Sequence, residues 1–171
     1  MQIRSLLLGL FLCCTVASTG QQPVQEVNLK AAFMYNFTRY ITWEESTQSN
    51  YFIFGVLGTT PMTEALKKIA GQYDVGNKNI LVRNFSSLAE MSYCNILFIP
   101  AKTGYRMADI AEKLPRGVLT ITEEPGMAAR GSGFNFVVIN DKLKFEVNLK
   151  TLYLSGIRVS SQLLKLAVIV N

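Results

Sequence analysis

Hydrophobic and polar positions along the chain fall into helical and strand spacings that alternate. Over residues 29–43, Leu29, Ala32, Phe33, Phe37 and Tyr40 recur at helical spacing, with Lys30, Thr38 and Arg39 between them. This predicts an amphipathic helix capped by Asn28. The polar stretch Glu44 to Asn50 reads as a loop, and Tyr51 to Leu57 is an unbroken apolar run of strand length. Gly58-Thr59-Thr60-Pro61 then turns the strand into a helix, with Thr60 at the cap and Pro61 in the first position. Glu64 sits in that helix's first turn, where a negative charge suits the dipole.

The unit repeats. Asn79 to Val82 reads as a strand, and Ser87 with Glu90 reads as a capping box for a brief helix. Asn95 to Ile99 is a buried strand, Tyr105 to Leu114 a helix and Val118 to Thr122 a further strand. Such alternation implies parallel strands with helices on both faces. The end of the chain breaks the rhythm. Phe134 to Ile139 and Lys142 to Leu149 flank Asn140-Asp141, a two-residue turn that favours an antiparallel hairpin. In its second strand Leu143, Phe145, Val147 and Leu149 point one way, with Lys144, Glu146 and Asn148 the other. Ser160 to Val170 reads as a closing helix, apolar nearly all round, which a neighbour must cover. The predicted fold is α/β: a three-layer sandwich with a mostly parallel sheet, a C-terminal antiparallel hairpin and flanking helices.

The N-terminus changes the picture. A basic start (Met1 to Arg4), an apolar run from Leu6 to Val16 and the small residues Ser18-Thr19-Gly20 form the secretory pattern, with Gln21 first in the mature chain. The run is too short for a bilayer span of about 20 residues, and Leu10-Phe11-Leu12 is too bulky for a lipidation box at Cys13 or Cys14. The expected organisation is a cleaved signal peptide at 1–20 and one domain over 21–171, in the periplasm. Removing residues 1–20 takes away Arg4 and no acid, so the formal charge of +5 becomes +4, dispersed along the chain. Nucleic-acid binding wants a clustered basic face, and none is visible.

Candidate chemistry is sparse. The chain has no histidine, which removes the commonest general base near neutral pH and, with Cys94 as the sole mature thiol, argues against zinc. One cysteine makes no internal bridge, and a small buried hydrophobe is its default role. Gly55-Val56-Leu57-Gly58 lacks the third dinucleotide glycine and the P-loop lysine, and Gly131-Ser132-Gly133 is not a nucleophile elbow. Glu44-Glu45 and Glu123-Glu124 are adjacent pairs, which point apart and read as solvated loops. Neither an enzyme nor a cofactor is expected.

The residues that remain resemble the YfiR/HmsC family of periplasmic regulators. The likeness starts at Lys30-Ala31-Ala32-Phe33-Met34-Tyr35-Asn36-Phe37, with Tyr40 and Trp43 following. It continues through Phe54-Gly55-Val56-Leu57-Gly58 and Cys94-Asn95-Ile96-Leu97-Phe98-Ile99. It closes on Phe145-Glu146-Val147-Asn148-Leu149 and the run from Gly156 to Ala167. The resemblance implies an exported, non-enzymatic regulator, a homodimer that restrains an inner-membrane diguanylate cyclase or sensor histidine kinase through its periplasmic part, with an outer-membrane partner as a releasing element. Two departures stand out. The relative best understood carries disulfides where this chain keeps only Cys94, and the family's Trp-Pro pair is Trp43-Glu44 here.

An alternative is a periplasmic small-ligand receptor or envelope-stress sensor, with its site in the cleft at the ends of the parallel strands. Candidate partner-binding residues are Asn36 and Arg39, one helical turn apart, Glu146 and Asn148 on the polar strand face, Trp43 as an aromatic anchor and Arg158, an outward group in the last block of the resemblance. The stretch from Gly156 to Lys165 is expected beside the same surface.

Overall fold

The computed structural model describes residues 21–43 and 49–170. The expected signal sequence at 1–20, with Cys13 and Cys14, the Glu44-Glu45 pair and most of the loop after Trp43 lie outside the described residues.

Helix α1 (Gln21–Phe37) opens the described chain. It runs straight through Asn28, so the expected cap there is not a cap, and it stops earlier than the spacing predicted. The stop is a tightened turn. The Thr38, Arg39 and Tyr40 N–H groups donate back to the Tyr35, Asn36 and Phe37 carbonyls, and the Thr38 hydroxyl donates to the Tyr35 carbonyl at 2.6 Å. Residues 41–43, expected as helix, form instead the short strand β1 (Ile41–Trp43).

From there the sequence follows the predicted alternation: β2 (Tyr51–Leu57), α2 (Met62–Ala70), β3 (Asp74–Val75), β4 (Lys78–Phe85), a 3₁₀ turn at Leu88–Glu90, β5 (Ile96–Ile99), α3 (Met107–Lys113) and β6 (Leu119–Thr122). The capping box forms differently from expectation. Ser87 makes no side-chain cap bond, and the Glu90 carboxylate accepts from the Ser86 N–H at 3.2 Å. Strands β7 (Phe134–Ile139) and β8 (Lys142–Asn148) make the expected hairpin, with Asn140 and Asp141 both at positive φ (50° and 57°) as its tight turn requires. The chain closes with α4 (Leu149–Leu154), β9 (Ile157–Val159), α5 (Ser161–Leu164) and β10 (Val168–Val170). The predicted helix over 160–170 is therefore a single turn followed by a strand.

Eight strands form the main sheet in the order β10-β8-β7-β6-β5-β2-β4-β3, and β1 pairs with β9 in a separate antiparallel ribbon. Strands β4, β2, β5, β6 and β7 run parallel, β8 is antiparallel to β7, and β10 is parallel to β8. Alternate side chains of each strand feed two cores, which makes three layers. Phe52, Phe54, Phe98, Ile121 and Phe134 pack with Met34 and Phe37 of α1 and Leu66 of α2. Ile53, Leu57, Leu97 and Ile99 pack with Met107 and Ile110 of α3. Gly55 sits where no side chain fits: a Cβ would lie 2.8 Å from both the Cys94 sulfur and the Phe85 ring.

The buried face of α1 is rotated from the predicted one. Leu29 and Tyr40 are exposed, whereas Lys30, Ala31, Met34, Phe37 and Thr38 are buried. The helix runs antiparallel to the strands. Its Lys30 meets Glu123 just beyond the carboxyl end of β6, and Thr38 borders Asn95 and Lys78 at the amino ends of β5 and β4.

Candidate functional site

At the amino ends of the strands the fold gathers aromatic and arginine side chains into one rim. The Arg39 guanidinium lies 5.3 Å from the centre of the Tyr35 ring, a cation–π distance, and Tyr35 stacks on Tyr73 with ring centres 5.1 Å apart. The Tyr35 hydroxyl donates to the Asp74 carbonyl at 3.2 Å, tying α1 to β3. Tyr73 is 49% exposed, and Tyr40 and Tyr51 are exposed alongside. Trp43 packs edge-on against Phe52 at a centroid distance of 5.3 Å. A concavity of about 500 Å³ lies between the ribbon and the β3–β4 turn, lined by Thr42, Trp43, Val75, Asn77 and Lys78 among others.

Two features distinguish this rim from the rest of the described surface. Tyr, Trp and Arg are the side chains enriched where proteins bind one another, the aromatics because they bury much area at little entropic cost and Arg because its planar guanidinium both stacks and donates hydrogen bonds. In addition, the Trp43 Nε1–H is the one buried side-chain polar atom among the described residues without a hydrogen-bond partner. An unsatisfied buried donor costs about 1–3 kcal/mol.

Sequence reasoning named four residues here, and the structure brings them to the same end. Asn36 and Arg39 are exposed in the turn that ends α1, where the Arg39 N–H donates to the Asn36 carbonyl at 3.1 Å. Trp43 is half-buried on β1, and Arg158 is exposed on β9 directly across from Thr42. Trp43 faces Ile157 across the same ribbon.

Glu146 and Asn148 are elsewhere. Asn148 is buried, contrary to the outward face expected from alternation. Its amide donates to the Ala128 carbonyl at 2.8 Å, and its side-chain carbonyl caps α4 by accepting from the Thr151 N–H at 2.9 Å. The loop between β6 and β7 covers this face of β8, which is why a polar residue there turns inward. Glu146 is half-buried and ends a buried chain: the Thr122 hydroxyl donates to Asn135 at 2.8 Å, and the Asn135 amide donates to Glu146 at 2.9 Å. Along the stretch from Gly156 to Lys165, Ile157 and Leu163 are buried in the first core, so only part of it reaches the surface.

A cleft of about 480 Å³ lies at the carboxyl end of the sheet, where the alternative reading expects one; of its borders Glu26, Lys30, Glu123, Phe136, Val138 and Glu146, the sequence reading named only Glu146 as a candidate. Lys30, 8% exposed, is held between Glu26 at 2.6 Å and Glu123 at 2.8 Å. Burial pulls its ammonium toward neutrality, but the hydrogen bonds and charges of Glu123 and Glu26 together outweigh that, and its pKa is raised. Glu123 and Glu124 are not merely solvated. They also accept from the Ala101 and Lys102 N–H groups and so brace the loop after β5. The i,i+4 spacing of Glu26 and Lys30 was a legible signal; Glu123's part in the pairing was not.

Ser132 is buried and donates its hydroxyl to the Phe134 carbonyl at 2.6 Å. Cys94 is buried, and loss of solvation pushes its thiol up to about 12. Thiolate is the reactive form. The native thiol should therefore resist iodoacetamide at pH 8, and Cys94→Ser should leave folding near wild type. Mass spectrometry after labelling reads the first directly, and rapid labelling of the folded protein would contradict it.

Comparison with known proteins places this geometry. The profile of the YfiR/HmsC-like family matches residues 27–168. No curated protein matches the sequence. Among solved structures, an ABC domain from Streptococcus pneumonia in complex with L-Trp is similar with a TM-score of 0.50 at 11% identity, covering 84% of this chain and 60% of that one. This chain thus spans 60% of the length of that protein, and the likeness supports the α/β fold alone.

Proposed function

The chain belongs to the YfiR/HmsC-like family, a family of periplasmic regulators of diguanylate cyclases, and on that footing we propose that it binds and restrains an inner-membrane signalling enzyme through that enzyme's periplasmic part. The enzyme is a diguanylate cyclase or a sensor histidine kinase, and the protein itself acts without catalysis. The amino-end rim of Arg39, Tyr35, Tyr73, Trp43 and Arg158 is the surface that makes the contact. The observation that carries this reading is the exposed Arg39–Tyr35–Tyr73 stack beside a tryptophan whose buried N–H meets no acceptor among the described residues.

The test is affinity for the periplasmic domains of the organism's membrane cyclases and kinases. Arg158→Glu and Tyr73→Ala are each expected to weaken the complex about tenfold, a 1.4 kcal/mol effect, with thermal melts close to wild type because both side chains are exposed. Undiminished binding by both variants would remove the rim from the interface. No binding by the wild-type protein to any such domain would favour the second reading, a small-ligand receptor, which has its own observation in the cleft at the carboxyl ends of the strands.

Export and pairing complete the proposal. The mature chain starts at Gln21, and two copies meet at the edge strand β10, where Leu166, Val168 and Ile169 are exposed. Native mass spectrometry reads both: a species of twice the mass of residues 21–171 is expected. A monomer, or a mass retaining residues 1–20, would contradict one or the other part.

A further inference from the structure

Strand β7 is paired along its whole length with β8, from Phe134 opposite Val147 to Ile139 opposite Lys142. Its other side is paired with β6 only at Phe134 and Asn135. Strand β6 ends at Thr122, and the chain leaves the sheet through Glu123, Glu124 and Pro125. The Asn148 N–H donates to the Gly133 carbonyl, which sets the alternation along β7. Asn135, Val137 and Ile139 address β8, while Phe134, Phe136 and Val138 address the side of β6. The Thr122 and Ser132 hydroxyls meet the Phe134 carbonyl on that side. Phe136 and Val138 therefore turn their N–H and C=O groups into the lane that β6 vacates, which is the cleft of about 480 Å³.

A row of backbone groups without a ladder partner is a template for another strand. Charge decides which strand. The chain as a whole carries a formal +5, yet this cleft sets Glu26, Glu123 and Glu146 against Lys30 alone. Lys30 is already held between two of those carboxylates, so the local sign is the reverse of the protein's. We infer that the vacant lane beside β7 accepts an extended peptide segment bearing lysine or arginine, added to the sheet as a strand. Its backbone pairs with Phe136 and Val138, its apolar residues lie against Val138 and Leu143, and its cations meet the cleft carboxylates. This second site lies at the opposite end of the sheet from the aromatic rim and does not depend on it.

The probe is an acetylated and amidated pentapeptide alternating lysine and valine, added to the mature protein and read by amide hydrogen exchange. Phe136 and Val138 are expected to exchange about tenfold more slowly or better at saturation, because their N–H groups become bonded. Val137 and Ile139, already in the β8 ladder, should change little. A peptide alternating glutamate and valine, and a lysine–valine peptide with methylated backbone nitrogens, should leave all four amides unchanged. Val138→Pro removes an N–H that does not serve β8, so it should abolish the response with native mass and melt unaltered; Glu146→Gln should weaken it about threefold while keeping the Asn135 bond. Equal protection by the methylated peptide would mean a cation held by charge alone and would overturn the strand inference. So would absence of any response in the wild-type protein, whatever the outcome at the amino-end rim.

Discussion

Lys30→Ala is expected to cost about 3 kcal/mol of stability and to lower the melting temperature by about 6–12 °C. The ammonium is among the few charged groups buried in the domain, and it holds two carboxylates from distant parts of the chain. Removing it leaves Glu123, itself largely covered, without its counter-charge. The same carboxylate also fastens the Ala101 N–H, so repulsion or reprotonation there loosens the loop after β5. The double variant Lys30→Ala with Glu123→Gln should recover at least about 1 kcal/mol, since the orphaned charge goes too. Additive losses in that cycle would show that the pair is solvated and energetically idle. Because the folded pKa of Lys30 is raised above 10.5, its contribution is complete below pH 10.5 and is lost as pH climbs through the folded value.

Trp43→Ala is expected to weaken the regulatory complex by at least about 2 kcal/mol, roughly thirtyfold, in the range of a buried aromatic anchor. The same change also removes packing against Phe52, so stability falls with it. Trp43→Phe separates the two effects. It keeps a ring against Phe52 while deleting the donor that meets no acceptor among the described residues. The melt should stay within about 1 kcal/mol of wild type, since the lost unsatisfied donor offsets the smaller ring. The complex should nevertheless weaken about tenfold, because the partner's acceptor is then stranded. A wild-type affinity in Trp43→Phe would mean that the indole N–H is satisfied by nothing in the complex and that only the ring matters.

Much of the fold was legible because β2, α2, β5, α3 and β6 each satisfy their pattern locally. Apolar runs of strand length alternate with amphipathic turns, and turn residues stand at the joints. The failures share one physical cause, which is pairing between residues far apart in sequence. Ile41-Thr42-Trp43 continues the helical spacing of α1 and becomes a strand only because β9 lies across from it. Val168 to Val170 likewise reads as helix until β8 offers it a ladder. Lys30 looked solvent-facing because helical periodicity fixes a face only to within a residue or so, and Glu123, the group that rewards its burial, is 93 positions away. Asn148 obeyed alternation but met a covering loop instead of water. The proposed rim was legible in part. Arg39, Trp43 and Arg158 were named from residue type, whereas Tyr35 and Tyr73 were not, because stacking between them requires α1 and β3 to be neighbours.

Amide hydrogen exchange on the complex reports the contact surface without any substitution. The mature protein is compared alone and bound to the periplasmic domain of the cyclase or kinase that captures it. Slower exchange is predicted at Ile41 to Trp43, Tyr73 to Lys78 and Ile157 to Val159, the segments that form the amino-end rim. Protection confined to α3 and the loops around it, with those three segments unchanged, would contradict the account.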